Sequence, residues 1–64
     1  MRKYIVRDKA NDKVSIFLLV KDEIFNAYRF VDLTDCTIVA VTFKTVSMAL
    51  NWLDIGFEWE VTDF

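Results

Sequence analysis

The sequence predicts an α+β domain in which a mainly antiparallel sheet of four to five strands carries one helix on one face. Runs rich in β-branched and aromatic residues fill most of the chain, and short polar segments separate them. One segment near the C-terminal end has the apolar spacing of a helix. With 64 residues, the chain has room for one domain and one core, spanning residues 1–64.

The first two strands form the most clearly predicted hairpin. Tyr4–Val6 is a short apolar stretch between charged residues, and Val14–Val20 is a longer apolar run. Asn11 and Asp12 lie between them and suit a turn, because both side chains bond to the local backbone and tolerate a left-handed conformation. The short connection predicts antiparallel pairing.

The second strand also predicts self-association. Its run Ile16–Val20 shows no alternation of apolar and polar residues, so both faces are expected to be covered. One helix covers only one face, and 55% apolar residues are more than so small a core encloses. We therefore expect the other face to meet a second copy, and we predict Phe17 and Leu19 as the oligomer interface.

The middle of the chain predicts two more strands. Ile24–Leu33 is rich in aromatic residues, which favours a strand, although Ile24–Val31 also fits a helical spacing, and the two readings stay open. Asp32–Asp35 is a turn. Cys36–Phe43 is composed largely of β-branched residues and is predicted as a strand.

The predicted helix runs from about Val46 to Ile55, with its apolar residues on one stripe. Thr45 is the expected N-cap, and Gly56 is expected to take a left-handed C-terminal conformation. Residues 57–62 alternate between apolar and polar side chains and predict a last strand. The element order is ββββαβ, and the pattern does not decide whether the last strand is parallel or antiparallel to its neighbour.

The composition argues against an enzyme. The chain has no histidine, one cysteine and one glycine, so acid–base, metal and phosphate-loop chemistry lack their usual residues. Cys36 follows an acidic residue and has no base to activate it, so it is expected to be a small buried packing residue. We predict no catalytic residue, no metal ligand and no cofactor.

The charge distribution suggests a second, alternative function. Residues 1–30 carry a balance of +3, and residues 31–64 carry −5. The basic first hairpin would grip phosphates and stack a base if it bound nucleic acid. That alternative site comprises Lys3, Tyr4, Arg7, Lys9 and Lys13. The acidic overall balance argues against it.

Aromatic and acidic residues at the C-terminal end predict a protein-binding surface. Tryptophan often anchors protein interfaces, and a rim of like charge selects the partner. The predicted surface comprises Trp52, Asp54, Glu58, Trp59 and Glu60.

Together these patterns predict a small non-catalytic interaction module. Its expected partners are itself, as a homodimer or larger homo-oligomer, and an unidentified protein. Its size is typical of accessory proteins of phages or mobile elements, which bind and modulate a host protein. The longest apolar run is too short for a membrane span, and a lone cysteine suits a reducing compartment, so we expect no membrane partner and a cytoplasmic location.

Overall fold

The computed structural model describes residues 2–62 and confirms the α+β fold, with one helix on a five-stranded antiparallel sheet. The elements follow the predicted order ββββαβ. They are β1 (Lys3–Asp8), β2 (Val14–Asp22), β3 (Ala27–Asp32), β4 (Thr37–Phe43), α1 (Val46–Gly56) and β5 (Phe57–Thr62).

The strand order across the sheet is β4-β3-β2-β1-β5, and every neighbouring pair is antiparallel. The first four strands form a meander joined by short hairpin turns. β5 pairs with β1, which settles the orientation that the sequence left open. Because β4 and β5 are opposite edges of the sheet, α1 crosses one face of the sheet to connect them.

The core lies between α1 and the face of the sheet that the helix covers. Tyr4 is directly opposite Phe17 in the register of β1 and β2, so both side chains lie on this face. Ala49 and Leu53 of the helix are fully buried against it. The buried apolar cluster comprises Tyr4, Val6, Phe17, Phe30, Phe43, Ala49 and Leu53.

The helix begins as predicted and ends differently. The Thr45 hydroxyl accepts a bond from the Met48 backbone N–H at 3.2 Å, which confirms the N-cap. The left-handed cap predicted at Gly56 is wrong, because this glycine has no positive φ. The chain passes directly from the helix into β5, and the extended Phe57 donates its backbone N–H to the Leu53 carbonyl. That bond pairs the Leu53 carbonyl without a left-handed residue, and the Lys9 backbone N–H donates to the Gly56 carbonyl at 3.0 Å.

Four strands have boundaries that differ from the predicted ones. β1 (Lys3–Asp8) and β2 (Val14–Asp22) are longer than predicted, and β3 and β4 begin later. The ambiguous middle segment is a strand only from Ala27, since residues 23–26 form the turn of the β2–β3 hairpin. Cys36 lies in the turn before β4 and is exposed, so its predicted role as a buried packing residue is wrong. Its backbone φ of 56° places it in the left-handed region, where it cannot continue a strand.

The three hairpin turns share one local design. In each turn, an aspartate at the end of the first strand accepts a bond from the backbone N–H two residues later. The residue four positions after the aspartate then has a positive φ, which reverses the chain. The aspartates are Asp8, Asp22 and Asp32, and the positive-φ residues are Asp12, Asn26 and Cys36.

Replacing Cys36 by asparagine is expected to stabilise the protein. Asparagine visits the left-handed region readily and cysteine does not, so Cys36→Asn should raise the free energy of unfolding by roughly 0.5–1 kcal/mol. Urea denaturation measures this change. Cys36→Ala is the control, and it should leave stability about unchanged because alanine has the same conformational cost. Equal stabilisation by both variants would contradict the backbone explanation.

Candidate protein-interaction surfaces

The face of the sheet opposite the helix, called the open face below, carries a continuous row of apolar side chains. Ile5 is opposite Ile16, and Leu18 is opposite Val31, which is in turn opposite Ile38. No element within residues 2–62 packs on this face, because α1 and the core lie on the other. The large apolar residues of the open face are Ile5, Val14, Ile16, Leu18, Val20, Val31 and Ile38.

The predicted interface residues Phe17 and Leu19 lie on the wrong face for that role. Phe17 is 5% exposed, and its ring lies 5.6 Å from Phe30 and 5.5 Å from Phe57 between centroids. Leu19 packs against the same core. Side chains alternate along a strand, so pairing with buried Tyr4 turns Phe17 inward and Leu18 outward. The β2 residues on the open face are therefore those one position along from the predicted ones.

One corner of the open face combines charges of both signs. Arg7 of β1 is directly opposite Glu58 of β5, and Ile5 is opposite Glu60. These side chains and Val14 line a groove at the corner. Two carboxylates thus lie beside one guanidinium at this corner, an arrangement that suits a salt bridge to a partner.

A second charged site lies at the far end of the same face. The Arg29 guanidinium lies 3.1 Å from the Asp22 carboxylate, and both side chains are 22% exposed. Arg29 also stands over the Phe25 ring, with 5.7 Å between its guanidinium carbon and the ring centroid. The Arg29 Nε atom is buried and has no hydrogen-bond partner within the described chain. The Arg29–Asp22 ion pair therefore lies at the end of the apolar row that is farther from Arg7.

The predicted acidic and aromatic residues do not form one surface. Trp52 stacks on Phe30 in the core, with ring centroids 5.8 Å apart. Trp59 donates its indole N–H to the Asp54 carboxylate at 2.6 Å, also on the helix side of the sheet. Glu58 and Glu60 flank Trp59 in β5, so they project to the open face. The structure therefore separates the two tryptophans and Asp54 from the two glutamates.

The alternative nucleic-acid site also lacks a common surface. Tyr4 is 1% exposed, so it cannot stack on a base. Lys3 and Arg7 lie on the open face, because they alternate with buried Tyr4 and Val6 in β1. Their spacing along β1 places them beside apolar side chains and carboxylates instead of in a basic groove.

The two other lysines of the hairpin bond to the protein itself. The Lys9 ammonium donates to the Asp54 carbonyl at 2.9 Å, which ties the first hairpin to the end of the helix. Lys13 forms an exposed salt bridge with Asp35. The hydrogen bond and charge of Asp35 raise the pKa of Lys13. A lysine whose pKa is higher in the folded state than in the unfolded state stabilises the folded state. The small contribution of Lys13 to stability is therefore present at neutral pH and is lost as the pH rises through its raised pKa.

The described residues contain no metal cluster and no membrane-spanning helix. Within residues 2–62, no group of three or more cysteine, aspartate or glutamate side chains is arranged to hold a metal ion. No helix in the same range is long and apolar enough to cross a membrane. No protein-family model matches the chain, and searches of curated proteins and of solved structures find no match.

Proposed function

We propose that this protein is a non-catalytic protein-interaction module that acts as a homo-oligomer and buries its open face against a second copy. The observation that supports this most is the apolar row centred on Ile16 and Leu18, which no element in residues 2–62 covers. Contiguous apolar surface of this kind marks protein interfaces, because its removal from water stabilises the complex. A small single-core chain also gains needed stability from association.

The charges of the open face favour a second copy as the occupant. Acidic side chains lie at one corner, and basic side chains lie beside them and at the far end. A face with one sign of charge would select an oppositely charged partner, whereas a balanced face is compatible with itself in a two-fold arrangement. The charged residues of this face are Lys3, Arg7, Asp22, Arg29, Glu58 and Glu60.

Substitution of Leu18 by glutamate tests this proposal. The two-fold interface would contain the new charge twice, so the dissociation constant should rise roughly a hundredfold or more. Sedimentation velocity measures the size of the species, and far-ultraviolet circular dichroism checks the fold. Leu18→Thr keeps a strand-forming residue, and it serves as a milder variant if Leu18→Glu unfolds.

Ile55→Glu is the matched control. Ile55 is 77% exposed on the helix, outside the open face, so this variant should assemble like the wild type. Unchanged assembly of folded Leu18→Glu and Leu18→Thr would contradict the proposed interface. Salt-sensitive binding of DNA or RNA in an electrophoretic shift assay, lost in Arg7→Gln, would favour the nucleic-acid alternative instead.

A further inference from the structure

The two edges of the sheet differ in their protection against pairing with another strand. β5 carries Glu58 and Glu60, and charged side chains on an edge strand oppose pairing with a like strand. β4 contains no charged residue and no proline, and it is almost entirely β-branched or small. Ile38 is 61% exposed and Val41 is 43% exposed on it. β4 is therefore the edge strand that carries no charged side chain to oppose pairing with another strand.

The outer side of β4 offers backbone groups to a new strand. It is the end of the strand order, so its far side has no neighbour within residues 2–62. The register between β3 and β4 shifts between Arg29 and Val31. An irregularity of this kind is a feature that opposes the pairing of an edge strand with another strand. Five of the seven β4 residues are exposed, which leaves both faces of the edge accessible to a partner strand.

We propose that β4 pairs antiparallel with β4 of a second copy, so that two sheets join into one continuous sheet. Charges at the ends of the strand select this orientation. Asp35, which also forms the salt bridge with Lys13, precedes β4, and Lys44 follows it; both are exposed. Antiparallel pairing brings the Asp35 end of each copy beside the Lys44 end of the other, twice per dimer. Parallel pairing would instead bring like charges together.

This pairing extends the assembly of the proposed function, and the larger assembly rests on that function. The two-fold axis of an edge-to-edge pair runs perpendicular to the sheet, so both helices lie on one side and both open faces on the other. Two such joined sheets then stack through their open faces. The two kinds of axis are perpendicular, and if they intersect they close the assembly at four chains.

Val41→Lys tests the edge pairing, with Val61→Lys as a matched control. Val41 of β4 is 43% exposed and Val61 of β5 is 45% exposed, so each change places the same charge on an edge valine of equal exposure. Val41→Lys should weaken the edge pairing by at least ~10-fold, because Val41 lies next to the centre of β4 and a two-fold pair brings the two lysines near each other on one face. Val61→Lys should assemble as the wild type does. Equal loss in both variants, or no loss in Val41→Lys, would overturn the proposal.

A charge-swap mixture separates edge pairing from general destabilisation. Val41→Glu alone should lose the edge pairing as Val41→Lys does, and an equimolar mixture of the two should pair again, because opposite charges then lie near each other across the pair. Failure of the mixture to reassociate would contradict a β4–β4 contact. The two interfaces are distinguishable by size, since Leu18→Glu should leave an edge-paired dimer, and Leu18→Glu with Val41→Lys should be monomeric.

Discussion

Phe17→Glu is expected to leave the chain unfolded under conditions in which Leu18→Glu remains folded. Phe17 is 5% exposed in the aromatic core, so glutamate there would remove its ring contacts and bury an unpaired charge. Loss of the phenylalanine alone costs about 3–5 kcal/mol, comparable to the whole stability of a small domain. Far-ultraviolet circular dichroism and urea denaturation of the two variants measure the difference.

This pair of variants also tests the assignment of the two sheet faces. The residues are adjacent in β2, and the same charge is introduced at both. A folded Phe17→Glu protein with reduced assembly, together with an unfolded Leu18→Glu protein, would show that Phe17 faces solvent and Leu18 faces the core. It would therefore contradict the register between β1 and β2.

Phe30→Ala is expected to have the second large effect, a loss of about 3–5 kcal/mol in the free energy of unfolding. Phe30 is fully buried, and its ring contacts residues from β1, β2, β4 and α1. Its centroid lies 6.1 Å from that of Tyr4 and 5.9 Å from that of Phe43. Removing this ring leaves a cavity that the surrounding strands and helix cannot all close. Urea denaturation in the background of Leu18→Glu with Val41→Lys, which is expected to be monomeric, separates folding from assembly.

Phe25→Ala is the matched control for this measurement. Phe25 lies in the turn before β3 and is 70% exposed, so the same change removes little buried surface. Its contact with Arg29 limits the expected loss to about 1 kcal/mol or less. A loss as large as that of Phe30→Ala would show that the aromatic core does not dominate stability.

The sequence predicts the elements well, because their periodicities differ clearly. The alternation in residues 57–62 and the apolar stripe of Val46–Ile55 correspond to β5 and α1. The face assignment of β2 fails where that signal is absent. Every residue of Ile16–Val20 is apolar, so only the register with β1, where Tyr4 is opposite Phe17, decides which side chains face the helix.

The failures at Gly56 and Cys36 concern local backbone conformation. A glycine after a helix commonly marks a left-handed cap, but here the next residue, Phe57, enters a strand at once and satisfies the Leu53 carbonyl. Left-handed conformation occurs instead at Cys36, for which the residue type gives no signal. The signal that was available is the aspartate four residues earlier, Asp32, which the other two hairpins repeat with Asp8 and Asp22.

The prediction of one acidic and aromatic surface is wrong, and the order of residues in β5 already shows why. Glu58, Trp59 and Glu60 are consecutive in a strand, so the tryptophan must face away from both glutamates. Tyr4 is buried because β1 lies inside the sheet, paired with β2 on one side and β5 on the other. This burial weakens the nucleic-acid alternative. No local pattern predicts that central position, because β5 reaches β1 only after α1 crosses the sheet.

Sedimentation velocity of the wild-type chain over a series of concentrations is the most direct test of self-association through these two surfaces. The open face and the β4 edge together predict a species of four chains at micromolar concentration, dissociating through dimers on dilution. A dimer that Leu18→Glu converts to a monomer would support the open face alone. A folded monomer that persists to millimolar concentration would contradict self-association through either surface.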